Sequence, residues 1–166
     1  MGLIDHPPGG LSRWLFRAPI LLYRARLGWL LGRRFVYVAH RGRRSGKRRE
    51  TVLEVVRYDP DPLEIFVVSG WGSRSDWYRN LRTRPALEVR IGARRFPAPR
   101  QRFLDPDETV RLMLDYRRAH PRAWRRLAPI LGLPWEPDQA EAAIRHVPAV
   151  AFRPSDATTH TEPTVR

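Results

Sequence analysis

The sequence predicts an α+β fold: a mostly antiparallel sheet or small barrel with helices packed on it, preceded by an amphipathic helical arm. Three observations carry this. Short β-type runs follow one another with only turn signals between them, so few β-α-β units can form. No GxGxxG follows a strand and no GxxxxGK[ST] is present, which removes a dinucleotide-binding parallel sheet and a P-loop. The chain has 166 residues, 42% of them hydrophobic and 29% charged, enough for one core and one domain. It has no cysteine, which excludes disulfides, thiolate metal sites and a cysteine nucleophile.

Residues 1–34 read as the arm. Leu11, Trp14, Leu15, Ala18, Leu22, Ala25 and Trp29 form one stripe at helical spacing, broken by Pro19 and stopped at Gly32. Arg13, Arg17, Arg24 and Arg26 interrupt the apolar run, so it is no membrane span. The stripe can pack on the domain, or residues 11–31 can lie on a membrane with the arginines at the headgroups. The expected location is cytoplasmic, with peripheral contact at the inner face of the cell membrane. Residues 35–153 form the expected domain. Phe35–His40 is a short strand and Arg41–Arg49 a basic turn. Thr51–Tyr58 and Leu63–Ser69 make a hairpin around Asp59-Pro60-Asp61-Pro62. Ser73 with Asp76 has the capping-box form and starts a helix bearing Trp77 and Leu81. Ala86–Ile91 and Arg94–Phe103 make a second hairpin at Gly92. Asp105 caps a helix with Pro106 at its first position, and another begins near Pro121 with Trp124, Leu127, Ala128 and Leu131 as its stripe. A short helix over Asp138–Arg145 and a strand over Val147–Phe152 complete it. Residues 154–166 are polar and expected to be disordered.

The net charge of +14 favours anionic partners: nucleic acid, anionic lipid or a phosphorylated cofactor. Lys47 is the only lysine, so the basic residues are almost all arginine, and many can be solvated surface without a partner. Two segments rise above this background. In residues 41–49, six of nine residues are cationic and Gly42 and Gly46 let backbone N–H groups approach an anion, with Ser45 as a further donor. The plainer reading is a solvated basic hairpin loop. In Ser69 through Leu81, a strong strand ends at a glycine-flanked Trp71 and feeds a helix N-terminus, where an anion is favoured and Trp71 could stack on a planar ring. Trp77 fits either that pocket or the core. His40 could face a ligand beside the basic loop or be a satisfied structural histidine. The five histidines show no metal-ligand spacing and there is no GxSxG elbow. Such a chain offers binding surfaces and little acid–base machinery of its own, as suits a protein whose cofactor carries the chemistry.

Gly42-Arg43-Arg44-Ser45-Gly46-Lys47-x-Arg49-x-Thr51-x-Leu53 resembles the G-[RA]-K-S-G-K-x-R-x-T-P-L pattern of the deazaflavin-dependent nitroreductase family. These are the coenzyme F420H2-dependent quinone reductases of split β-barrel fold. Ser69 through Trp77-Tyr78-x-Asn80-Leu81-x-x-x-Pro85 resembles the family's S-x-G-G…W-Y-x-N-L-x-x-x-P. Val52 stands where the family has proline, Glu50 where a basic residue is common, and the segment between Ser69 and Trp77 is shorter. The resemblance implies a reductase that passes a hydride from reduced deazaflavin to a quinone-like or nitro acceptor. By position it assigns Arg43, Arg44, Ser45, Lys47 and Arg49 to the coenzyme's anionic tail. Ser69, Gly70, Trp71, Gly72, Ser73 and Arg74 would line its phosphate and ring. Trp77, Tyr78 and Asn80 would shape the ring pocket, and Tyr116 would stand near the substrate as the catalytic group. A non-enzymatic carrier of deazaflavin, flavin or haem on the same fold is the alternative. A nucleic-acid-binding module fits less well, because the tryptophans fall mostly on helix stripes.

Overall fold

The computed structural model describes Tyr23, residues 28–134 and residues 136–155. A 3₁₀ turn over Gly28–Leu31 leads into three strands, β1 (Phe35–Arg41), β2 (Arg48–Pro60) and β3 (Leu63–Val68). Helix α1 (Asp76–Thr83) follows, then β4 (Glu88–Ile91), β5 (Arg94–Pro97) and β6 (Arg100–Phe103). Helices α2 (Pro106–Ala119), α3 (Pro121–Ile130) and α4 (Pro137–Ile144) precede the last strand, β7 (Ala149–Arg153).

All neighbouring strands are antiparallel, in the order β5-β4-β1-β2-β3-β7-β6. The two ends of that order, β5 and β6, are separated by only Ala98 and Pro99. Two residues span little more than 10 Å, so the sheet must curl until its edges nearly meet. The 13-residue β2 makes the corner. Its first half pairs with β1 and its second with β3, with a register shift between Val55 and Arg57. A bulge of this kind bends a strand and raises its twist.

Strand alternation sorts the core into two sides. Val36, Val38, Ile65, Val67, Val150 and Phe152 point into the barrel, where Trp77 and Leu81 of α1 plug one end. The intervening Phe66, Val68, Ala149 and Ala151 point outward and are covered by α2, α3 and α4. Helix α2 starts as the sequence implies. Asp105 Oδ1 accepts from the Glu108 N–H at 2.7 Å and Pro106 opens the helix. Outside β1, Tyr37 and Ala39 are covered by Tyr23 of the arm, which is 2% exposed and donates its hydroxyl to the Phe35 carbonyl at 2.7 Å. Tyr23 is off the expected apolar stripe. The rest of the stripe lies outside the described residues, apart from Trp29, whose backbone forms part of the 3₁₀ turn, as does the tail from residue 156 on. No helix among the described residues is long and apolar enough to cross a membrane.

Three expectations need correction. Residues 94–103 are two strands, not one. Ala98 takes a positive φ of 44° between Pro97 and Pro99, neither of which can donate to a ladder, so β5 stays on β4 while β6 crosses to β7. The helix after Trp71 does not begin at Ser73, which lies in a 3₁₀ turn over Gly72–Arg74. Ser75 precedes α1 and makes no side-chain cap. The ordered hairpin loop is also tighter than 41–49, because β1 runs to Arg41 and β2 begins at Arg48.

Candidate functional site

The barrel end next to α1 is built from β1, the β1–β2 loop and the segment leaving β3. Cross-strand pairing puts His40 opposite Arg49 and Val38 opposite Thr51. Directly opposed residues share a face, so Arg49 and Thr51 continue the interior face of Val36, Val38 and His40 to the rim. The loop between the strands closes on itself: Gly46 N–H donates to the Gly42 carbonyl at 2.8 Å and Gly42 N–H to the Lys47 carbonyl at 2.9 Å. Gly46 holds a φ of +65°, where a side chain would be strained.

The segment leaving β3 is equally fixed. The buried Ser69 hydroxyl donates to the Gly72 carbonyl at 2.7 Å, so its contact with Ser75 Oγ must be a hydrogen bond donated by Ser75. That explains why Ser75 is not free to cap α1. Gly72 turns the chain at φ +60°. The result is a short rigid bow that leaves Trp71 42% exposed at its apex.

One side chain joins the two segments. Asn80, on the same α1 face as Trp77 and Leu81, is buried. Its Oδ1 accepts from the Arg43 backbone N–H at 2.9 Å and from Arg43 Nη1 at 3.3 Å. Arg43 Nη1 also donates to Asp76 Oδ1 at 2.7 Å. On its other side the Asn80 amide lies 3.2 Å from His40 Nδ1. His40 is 3% exposed, and burial pulls its pKa down to about 4; Arg49 adds to the fall, while the Arg41 carbonyl and Asp76 oppose it. The imidazole is therefore neutral near pH 7.

These pieces surround a cleft of about 580 Å³. Of the expected residues, Arg43, Arg44, Ser45, Arg49, Trp71, Trp77 and Asn80 line it. Lys47, Ser69, Gly70, Gly72, Ser73, Arg74 and Tyr78 are not among its lining residues. Ser69 acts from behind by bracing the bow, and Tyr78 meets Trp77 and Phe103 edge to face. Trp77 is 7% exposed, so it is at once core and cleft wall. His40, Gly42, Glu50, Thr51, Ser75 and Asp76 also line the cleft. Thr51 could have been found by extending strand alternation through the register, and Asp76 by its position in the first turn of α1.

Tyr116 is elsewhere. It lines a second cleft of about 380 Å³ on the outer side of β2, with Arg33, Arg34, Glu54, Tyr58 and His120. Its hydroxyl donates to Glu54 Oε1 at 3.2 Å. Burial, and then the Glu54 carboxylate, push its pKa up to about 12.

The charges of the first cleft are unevenly satisfied. Arg43 is paired with Asp76, and Glu50 lies 3.5 Å from Arg48. Arg44 and Arg49 have no hydrogen-bond, ion-pair or ring partner among the described residues. Two unpaired guanidinium groups, a serine hydroxyl and an exposed indole on one cleft fit a long anion that carries a planar ring. The volume lies within the usual range of ligand sites, about 300–1,000 Å³. No group of His, Asp and Glu among the described residues could hold a metal ion.

Curled sheet, plugged barrel end and cation-lined cleft define a cofactor-binding protein of split β-barrel class. A family model of F420H(2)-dependent quinone reductases matches residues 17–126, well over half of the chain, and the chain belongs to that family. It is an F420H2-dependent oxidoreductase, and its cofactor is coenzyme F420. Two solved structures agree on the fold. One titled F420-H2 dependent reductase (FDR-A) matches at 19% identity over 74% of this chain and 96% of that one, with a TM-score of 0.50. A second, described as a domain-swapped dimer, matches at 17% identity over 87% of this chain and 100% of that one, with a TM-score of 0.52. A pyridoxamine 5'-phosphate oxidase-related, FMN-binding protein of Nostoc punctiforme PCC 73102 matches at 17% identity over 91% and 82%, with a TM-score of 0.45. A search of curated proteins returned no match.

Proposed function

We propose that the protein holds reduced coenzyme F420 in the first cleft and reduces a quinone-like or nitro acceptor. The observation that carries this reading is the Asn80–Arg43 tie, which brings the basic loop and the Trp71 bow to a single cleft. Arg44, Arg49 and Ser45 would take the anionic tail, with Lys47 at the loop's end adding charge. Each charge-assisted hydrogen bond would contribute about 1.5–3 kcal/mol. Trp71 would cover the ring, and Trp77 and Thr51 would shape its inner wall. Arg43 is already committed to Asp76 and Asn80, so its role in this reading is to fix the loop.

When bound in its reduced state the coenzyme supplies a hydride, two electrons and a proton nucleus together, which an acceptor takes up along with one further proton. The chain's part is to orient, to exclude water and to provide that proton. Tyr116 Oη is a proton-bearing donor throughout the neutral range, because its pKa is raised to about 12. A hydride passes only between atoms in contact, so the acceptor would lie against the coenzyme ring in the first cleft, which shares no lining residue with the second. Tyr116 would turn its hydroxyl from Glu54 to supply that proton to an acceptor that reaches from the ring as far as the second cleft; a shorter acceptor would take it from solvent.

Turnover tests this directly. Reduced coenzyme is mixed with a panel of quinones and nitro compounds and its oxidation is followed. Acceptor-dependent oxidation is the expected result; a fall of at least ~10-fold in Tyr116→Phe, in line with the usual contribution of general acid–base groups, would assign the proton to Tyr116, and an unchanged rate would assign it to solvent. Tight coenzyme binding with no acceptor-dependent oxidation would instead make the protein a carrier.

A further inference from the structure

The Asn80 amide has chemically distinct ends, and its surroundings leave only one orientation. Both groups that Arg43 presents to it, the backbone N–H and Nη1, are donors, so the Asn80 oxygen must face Arg43. The NH₂ end then faces His40 Nδ1 at 3.2 Å and can only donate. The imidazole must accept there, which requires a neutral ring with its proton on Nε2. Protonating Nδ1 would set donor against donor. Turning the amide over would relieve that clash only by setting its NH₂ against both Arg43 donors.

We infer that His40 is a positioning residue: by accepting from Asn80 at Nδ1, it fixes the direction of that amide, holds the basic loop against α1 and so sets the affinity for the coenzyme's anionic end. This rests on the reading that the first cleft takes the coenzyme. His40 itself carries no charge to the anion. The charged groups that face the ring are Arg49 from β2 and Asp76 from α1, with Arg43 of the loop one hydrogen bond further on. Burial is what keeps the ring neutral among them.

Two variants separate orientation from bulk. His40→Asn keeps an acceptor oxygen near the place of Nδ1 and cannot titrate, whereas His40→Leu fills the space and accepts nothing. The first readout needs no coenzyme: amide hydrogen exchange of the Arg43 N–H in the free protein. Protection of that amide should fall at least ten-fold in His40→Leu and change little in His40→Asn, with both variants folded by thermal unfolding. The second readout is tryptophan quenching on titration with coenzyme F420. His40→Leu should raise Kd about ten-fold, a change of about 1.4 kcal/mol, with His40→Asn within about three-fold. Below about pH 5 wild type should lose affinity faster than His40→Asn does. Unchanged Arg43 protection in His40→Leu overturns the inference, as does lost protection with unchanged coenzyme affinity, or identical pH profiles for wild type and His40→Asn. If wild type binds no coenzyme, the functional reading fails separately, and Arg43 exchange still decides the role of His40 in holding the loop.

Discussion

Two sets of arginines in this protein carry the same charge and serve different ends. On the outside of the barrel, arginines gather around buried carboxylates. Glu88 is 4% exposed and meets Arg90, Arg95 at 2.9 Å and Arg48 at 3.6 Å. Glu64 is 5% exposed and meets Arg102 at 2.8 Å and Arg153 at 2.9 Å. Several of these guanidinium groups also lie over rings, Arg90 over Tyr37 and Arg102 over Phe66. At the cleft, by contrast, Arg44 on the closed loop and Arg49 at the start of β2 have no partner among the described residues. The first set holds the sheet together. The second is left with its charge unspent, on a cleft that an exposed indole also lines. A net charge of +14 does not locate a binding site; unpaired cations that share one cleft with an exposed indole do.

The sharpest way to break this contrast is at Glu88. Glu88→Gln should destabilise the fold by about 2 kcal/mol, the usual cost of spoiling buried charged hydrogen bonds, as measured by urea unfolding, while the folded variant binds coenzyme normally. Next in size, Arg44→Gln with Arg49→Gln should raise the coenzyme Kd ~10- to 100-fold and flatten its salt dependence, with unfolding unaffected. The same double change at the exposed Arg122 and Arg125 should alter Kd less than about three-fold. Equal effects at the two pairs would mean that bulk charge alone attracts the ligand. Trp71→Ala should weaken binding about ten-fold if the indole stacks on the ring, and abolish most of the fluorescence quenching.

Acid weakens both regions, through Glu88 and Glu64 outside the barrel and His40 at the cleft. Burial alone would raise the carboxyls of Glu88 and Glu64, but their arginine partners outweigh it and both are held below the ordinary range. A depressed carboxyl stabilises the fold above its unfolded value, and that contribution is lost as pH falls through the folded one. His40 acts in the same direction higher up: its stabilisation is present above about 6.5 and lost as pH falls toward about 4. Urea unfolding at pH 7, 5 and 3.5 should therefore show stability falling in two stages, and His40→Asn should remove the upper one. A last prediction concerns the arm, if it meets anionic lipid. Arg13, Arg17 and Arg24 changed together to Gln should reduce sedimentation with anionic vesicles, each basic residue contributing about 1 kcal/mol near such a surface. Equal sedimentation of both forms would rule out the membrane role.

Much of the fold was legible in the sequence. Alternation fixed the strands, turn chemistry fixed the β2–β3 hairpin, and Asp105-Pro106 marked the start of α2. Proline at 97 and 99 was visible, but not the consequence that residues 94–103, expected as one strand, would serve both edges of a curled sheet. That depends on closure of the whole barrel. The cleft's cations and its tryptophan could be read from composition and spacing. The tie between them could not, since Asn80 and His40 are 40 residues apart and meet only after folding. Ser73 read as the capping residue but lies in a 3₁₀ turn, and Ser75, which does precede α1, hydrogen-bonds to Ser69, a tertiary contact in place of a local cap. Tyr116 has its own cleft because the outer side of β2 near Glu54, not the barrel end, receives α2.

The central claim is that the basic loop and the Trp71 bow grip one molecule. Backbone amide shifts recorded while coenzyme F420 is titrated into the full-length protein test it most directly. The account predicts saturable changes that cluster in residues 42–49 and 69–77 together and weaken with added salt. Changes confined to one of these segments, or centred on the exposed arginines of α3, would contradict it.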